Sequence, residues 1–181
     1  MALSSTTHAV QLELADVDRG VYDSLALTVA RHPSETAEHL VARVLAYALE
    51  LDEGLAFSRG LCAGEEPALW QHDLTGALHA WIEVGTPSAE RLHKASKAAG
   101  RVAVYCHKDP TPWLAGLAGA RVHGAERIAL HALDRGLVAA LAEGLERRLR
   151  LSLTRTEGTL FVDAGDRSLS APLTPLAWPQ G

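Results

Sequence analysis

Strand, helix and strand signals follow one another over residues 77–106, and this order constrains the fold more than any other feature of the chain. Leu78, Ala80, Ile82 and Val84 share one face of a strand over 77–84, with His79, Trp81 and Glu83 on the other. Gly85 ends the strand. Thr86-Pro87 then places a proline at the first helical position; the helix runs to about Ala99, and Gly100 stops it. Residues 101–106, RVAVYC, are of the short, β-branched, buried-strand type. Two strands joined by a helix pair in parallel through a right-handed crossover. The expected fold class is α/β of the mixed (α+β) kind, a mixed β-sheet flanked by helices.

The flanking segments extend this frame. Residues 7–15 alternate apolar and polar, the 16–20 cluster is a turn, and residues 21–30 alternate again, so the chain opens with a hairpin. Pro33 favours an extended residue before it. Ser34 is then the expected N-cap of a helix over 35–51, with Leu40, Val41, Val44, Leu45 and Ala48 as its apolar stripe. On a helical wheel Glu38 falls at the edge of that stripe, and Glu35, His39 and Arg43 fall further out. Residues 57–61 read as a short strand or loop, 65–70 as a loop and Asp73-Leu74-Thr75-Gly76 as a turn. A short helix is expected over 113–120, a strand over 127–133, and a helix over 135–148 capped by Asp134. A hairpin of 149–156 with 159–163 and an edge strand at 167–170 follow.

The 181 residues suffice for one domain, 1–181, with residues from about 172 to 181 as a Pro-rich tail lying on the surface or disordered. No apolar run approaches the ~20 residues of a membrane span. MALSSTTHAV has neither a basic nor an apolar signal region, so the expected location is the cytoplasm, with no membrane partner. Cys62 and Cys106 are isolated, which argues against a structural zinc site or a disulfide framework. A net charge of −5 argues against a tight, sequence-blind nucleic-acid binder, though it permits a local basic cleft. The nine histidines form no pair at metal-ligand spacing on a clear helix.

The candidate site residues are Glu38, Asp73, Glu83 and Lys94. Carboxylates near a strand end suit a hard divalent ion, Mg²⁺ or Mn²⁺, held by one or two of them plus a substrate phosphate. Such an ion prepares a hydroxide and clamps transition-state charge, and a lysine adds a point charge. Each residue has a plainer reading beside this one. Asp73 suits an Asp-x-x-Gly turn, and Glu38 suits the first turn of any helix. Lys94 lies off the stripe of Leu92, Ala95 and Ala99, and Arg91, closer to that stripe, is the substitute cation. Trp81 reads as packed under a helix. Glu83 sits on a strand, where Glu is disfavoured, which favours the site reading over a plain strand position.

The segments ARHPSET, LAYAL, SRGL and DLTG sit in a pattern that runs nearly the whole chain and resembles the bacterial YaeQ family. That family is similar to a compact variant of the PD-(D/E)xK nuclease fold. The resemblance implies a restriction-endonuclease-like core with an N-terminal hairpin and extra C-terminal strands. It implies Asp73 and Glu83 as metal ligands, Glu38 as the acid of the first core helix, and Lys94 as a lysine supplied from the following helix. Gly85 stands where the motif wants lysine, and His72 where it has proline. Two readings follow. One is a metal-dependent phosphodiesterase acting on nucleic acid, with Arg31, Arg43, Arg59, Lys97 and Arg101 as phosphate contacts. The other is a binding or regulatory module that keeps the architecture without catalysis.

Overall fold

The computed structural model describes residues 4–59 and 64–180. The chain opens with β1 (Thr6–Asp16) and β2 (Val21–Arg31), paired antiparallel without a register shift from Thr6 opposite Arg31 to Asp16 opposite Val21. Val10, Leu12 and Leu14 are buried while Ala9, Gln11 and Glu13 between them are exposed, the period-two pattern of a strand with one solvated face. Next come α1 (Ala37–Leu49), β3 (Leu55–Phe57), β4 (Leu69–His72), β5 (Leu78–Val84), α2 (Ala89–Ala98) and β6 (Arg101–Cys106). β5 and β6 are parallel, as the strand–helix–strand order requires. The chain continues through α3 (Pro110–Leu117), β7 (Ala129–Ala132), α4 (Arg135–Glu143), β8 (Arg148–Thr156), β9 (Thr159–Ala164), β10 (Arg167–Pro172) and β11 (Thr174–Leu176).

The strands form two mixed sheets, where a single sheet was expected. One has the order β10-β9-β8-β1-β2, the other β11-β7-β6-β5-β4-β3. The first closes through parallel pairing of β1 with β8, Ala9 opposite Arg148 through Asp16 opposite Arg155. No local pattern announces a pairing between segments so far apart in sequence.

α1 lies in the core shared by the two sheets. Beyond its expected stripe, Ala42, Ala46 and Leu49 are also buried, and residues of β1, β8, β9, β5 and α4 join the same cluster. A helix apolar on nearly every side belongs inside, not at a surface. Its last carbonyls are capped from the hairpin turn: the Arg19 guanidinium donates to Ala48 O and Leu51 O and pairs with the fully buried Asp16. Arg19 thereby fixes the hairpin to the end of α1. On the other face of the six-stranded sheet, α2 and α3 pack Leu92, Ala95, Trp113 and Leu117 against Trp81, Val102 and Val104. Leu45 is wholly buried in the shared core. Leu45→Ala should lower stability by about 2–5 kcal/mol, read as a shift of the urea midpoint at unchanged slope.

Several expected boundaries move. α1 starts after Thr36, whose hydroxyl accepts from His39 N at 3.1 Å, so the cap is Thr36 and not Ser34. β3 covers 55–57, and residues 60–63 of the expected 57–61 segment lie outside the described residues. β4 begins inside the expected 65–70 loop. α3 starts at Pro110, capped by Asp109. α4 stops at Glu143 because β8 begins at Arg148. The Pro-rich end is no loose tail: Leu173 is buried and Thr174–Leu176 pairs with β7. Among the described residues no helix is long and apolar enough to cross a membrane.

Candidate functional site at the carboxyl ends of β5 and β6

β5 and β6 run parallel and end side by side, and open α/β sheets place ligands in the crevice outside such strand ends. Here that crevice is a pocket of about 260 Å³. Glu83 and Val84 supply its floor, Thr86, Pro87 and Arg91 one wall, and His39 and Arg43 of α1 another. Gly64 and residues 66–68, leading into β4, complete it.

Glu83 is buried, and its Oε1 accepts from Trp81 Nε1 at 2.7 Å and from Arg91 Nε at 2.5 Å. Burial pushes the carboxyl above the usual range, against the pull of the Trp81 hydrogen bond and the Arg91 charge. Arg91 also donates to the carbonyls of Gly64 and Glu66, both at 2.6 Å, and its side chain remains 30% exposed. One guanidinium thus ties the end of β5, α2 and the 64–66 segment together at the pocket rim.

The second cluster stands on α1. Glu35 is buried just ahead of the helix and accepts from His39 Nδ1 at 2.6 Å and from Arg43 at 2.7 and 2.8 Å. Burial alone would raise its pKa, but the His39 and Arg43 hydrogen bonds and charges outweigh it and hold the carboxyl below its ordinary value. The Arg43 guanidinium, 2% exposed, also donates to Ala30 O and lies over the Phe57 ring. With Nδ1 donating to Glu35, a neutral His39 keeps Nε2 as an acceptor. Its ring meets His107 edge-on, centroids 5.7 Å apart.

His107 follows the last residue of β6 and is 7% exposed, with Nδ1 buried and unpartnered among the described residues. Burial, with the charges of His39 and Lys108, pushes its pKa down to about 4. A depressed histidine adds stability that is present above its unfolded value near 6.5 and is lost as the pH falls through that window towards 4. His107→Phe should therefore flatten the stability–pH curve between about pH 6.5 and 4, measured by urea midpoints across the range.

The structure does not gather the four expected site residues. Asp73 is at the opposite end of β5. Its amide bonds Ala77 O, and its Oδ1 accepts from Thr75 N, Thr75 Oγ1 and Ala77 N. Those bonds hold its pKa down. From Ala77 to Glu83 the strand covers roughly 20 Å, so the expectation that Asp73 and Glu83 share one ion is corrected. Asp73 shapes the β4–β5 turn, and Asp73→Ala should lower the melting temperature without altering the pocket. Glu38 is exposed on α1 near His107, while Glu35 and Arg43, placed further from the core by the wheel, are buried. Lys94 is exposed and pairs with Glu65, so Arg91 and not Lys94 is the cation on Glu83. Trp81 packs under α2 as expected, and in addition donates to Glu83. Gly85 adopts φ +106°, where a side chain is strained. A lysine there would cost about 1–3 kcal/mol, a backbone reason for its absence.

Mg²⁺ or Mn²⁺ fits this donor set poorly. Glu83 is held by Arg91, Glu35 by Arg43, Glu66 by Arg59 and Glu65 by Lys94, so each carboxylate already has its counter-charge. Among the described residues no three His, Cys, Asp or Glu side chains gather where they could hold an ion.

A protein-family model described as YaeQ protein matches residues 1–173. The chain belongs to the YaeQ family. The YaeQ proteins of Salmonella typhi and Escherichia coli K12, both described as uncharacterized, are 34% and 33% identical to it over 182 aligned positions, 99% of each chain. The crystal structure of YaeQ protein from Pseudomonas syringae superposes with a TM-score of 0.87 at 35% identity, covering 96% of both chains. That of YaeQ from Xanthomonas axonopodis pv. citri gives 0.86 at 33%, covering 98% of this chain and 100% of that one. The two-sheet α/β arrangement is thus shared with solved YaeQ structures.

Proposed function

We propose that this chain is a non-catalytic binding module whose pocket takes a phosphate group carried by a nucleotide or by the end of a single-stranded nucleic acid. The observation that carries the reading is Arg91: a partly exposed guanidinium on the pocket wall, paired with a carboxyl that burial drives towards its neutral form. A phosphate offers Arg91 a bidentate partner of higher charge than Glu83. As Arg91 turns to the ligand, Glu83 takes up a proton and remains satisfied by Trp81 Nε1. Thr86 stands on the wall with a hydroxyl that can donate to the same phosphate. A volume of about 260 Å³ is at the small end for a ligand cleft and suits a phosphate with part of its sugar, not a duplex.

A melting-curve series tests this. Inorganic phosphate and nucleoside 5′-monophosphates should raise the melting temperature, more at pH 5.5 than at pH 7.5, because a ligand bound only by the folded state stabilises it and this one binds with proton uptake. Equal stabilisation by chloride at matched ionic strength would overturn it.

The phosphodiesterase reading keeps one observation in its favour. Glu66, Glu83 and Arg91 line the pocket from the 64–68 segment, β5 and α2, and Glu35, just ahead of α1, meets it through His39. It is similar to the convergence that the resemblance to PD-(D/E)xK enzymes implies, with Glu66, Glu35 and Arg91 in place of Asp73, Glu38 and Lys94. Cleavage of labelled oligonucleotide with Mn²⁺, abolished by Glu83→Gln, would establish it.

A further inference from the structure

β2 is the edge of the five-stranded sheet, and among the described residues it pairs only with β1. A long bare edge strand is a template for another chain, and proteins usually guard it with charge, proline, a bulge or shortness. The other edges here have such guards: β10 ends in Pro172, β11 contains Pro175, and β3 has three residues. β2 has eleven residues, no bulge, and no charge or proline from Ser24 to Ala30. Two of its main-chain groups are already served, Ser24 N by Asp23 Oδ1 and Ala30 O by Arg43. Both belong to even-numbered residues, the set that points away from β1 in an antiparallel ladder. On the core side Val21, Leu25 and Leu27 are only partly buried.

We propose that β2 is a dimerisation edge, on which two copies of this chain pair their β2 strands antiparallel about Leu27. The strand is self-complementary in that register. Ala26 stands opposite Thr28, so their main-chain groups bond; Ser24 stands opposite Ala30 and keeps the bond from Ala30 N to Ser24 O, since Ser24 N and Ala30 O are already served; and Leu25 stands opposite Val29. Asp23 stands opposite Arg31 of the second copy, twice by symmetry, placing opposite charges face to face. The neighbouring register, centred on Ala26, would leave both charges facing valines. Pairing about Leu27 also covers the half-buried Leu25 and Leu27 and extends the sheet from five strands to ten across the pair.

Light scattering on the full chain reads the result directly. The wild type should have twice the monomer mass. Leu27→Lys, which sets two ammonium groups together at the axis, should give monomers, as should Asp23→Arg, which faces Arg31 with a like charge. Asp23→Arg combined with Arg31→Asp should restore the dimer. Oxidised Leu27→Cys should cross-link far faster than Tyr22→Cys, because residue 27 alone faces itself across the axis at a Cα separation of about 4.5 Å. A monomeric wild type, or a dimer indifferent to both Leu27→Lys and Asp23→Arg, would overturn the proposal. So would equal cross-linking at 22 and 27.

Discussion

Arg43→Met should destabilise the protein by about 3–5 kcal/mol, the largest effect expected of any single polar substitution in the site. Glu35 and Arg43 are both nearly inaccessible, and their two hydrogen bonds at 2.7 and 2.8 Å are made away from water. Removing the guanidinium strands a carboxylate whose low pKa depends on it. It also removes the donor to Ala30 O. Glu35→Gln with Arg43→Met should recover much of the loss, because no buried charge then lacks a partner. The pH dependence has the same sense as that of His107, both contributions being lost as the pH falls. A carboxylate with a lowered folded pKa adds stability above its unfolded value near 4.5, lost as the pH falls through the folded one. Glu35→Gln should therefore blunt acid unfolding below about pH 4.5, seen as a shallower fall of the urea midpoint.

Arg91→Ala should weaken phosphate binding by about 10- to 100-fold, the range of a charge-assisted hydrogen bond converted to affinity. Glu83→Gln acts differently. It keeps the Trp81 contact, removes the group that takes up the proton, and frees Arg91 from its internal partner. Affinity should then hold or rise, and its dependence on pH should vanish. A metal-binding Glu83 would lose function on the same substitution, so this variant separates the two readings of the pocket by the sign of its effect.

What the sequence discloses follows from how local each signal is. Alternation in β1 and β5, Gly100 at the end of the crossover helix and the cap at Asp134 all act over a few residues, and each marks its element, whereas Pro87, expected as the first helical residue, lies ahead of a helix that Ser88 caps. The pairing of β1 with β8 joins distant segments, so the union of the two hairpins into a separate five-stranded sheet has no local mark. The wheel misplaced the site for a definite reason. Glu35 precedes the helix, which starts after Thr36, so helical geometry never applied to it. α1 is enclosed on nearly all sides, so Arg43 outside the apolar stripe is still inside the protein. A signal was present: an arginine within LVARVLAYAL, with a glutamate eight residues before it, marks a buried pair. Arg91 was legible from its nearness to the Leu92–Ala95 stripe. Asp73 was drawn into the site by the motif, while its turn chemistry was in plain view.

Titration calorimetry with a 5′-phosphorylated dinucleotide, repeated in buffers of different ionisation enthalpy, tests the pocket most directly. The expected result is one site per chain, net proton uptake on binding, and the ligand recovered uncut. Proton uptake should disappear in Glu83→Gln, and affinity should collapse in Arg91→Ala but not in Asp73→Ala. Binding that ignores Arg91→Ala, or a dinucleotide recovered as two fragments, would contradict the account.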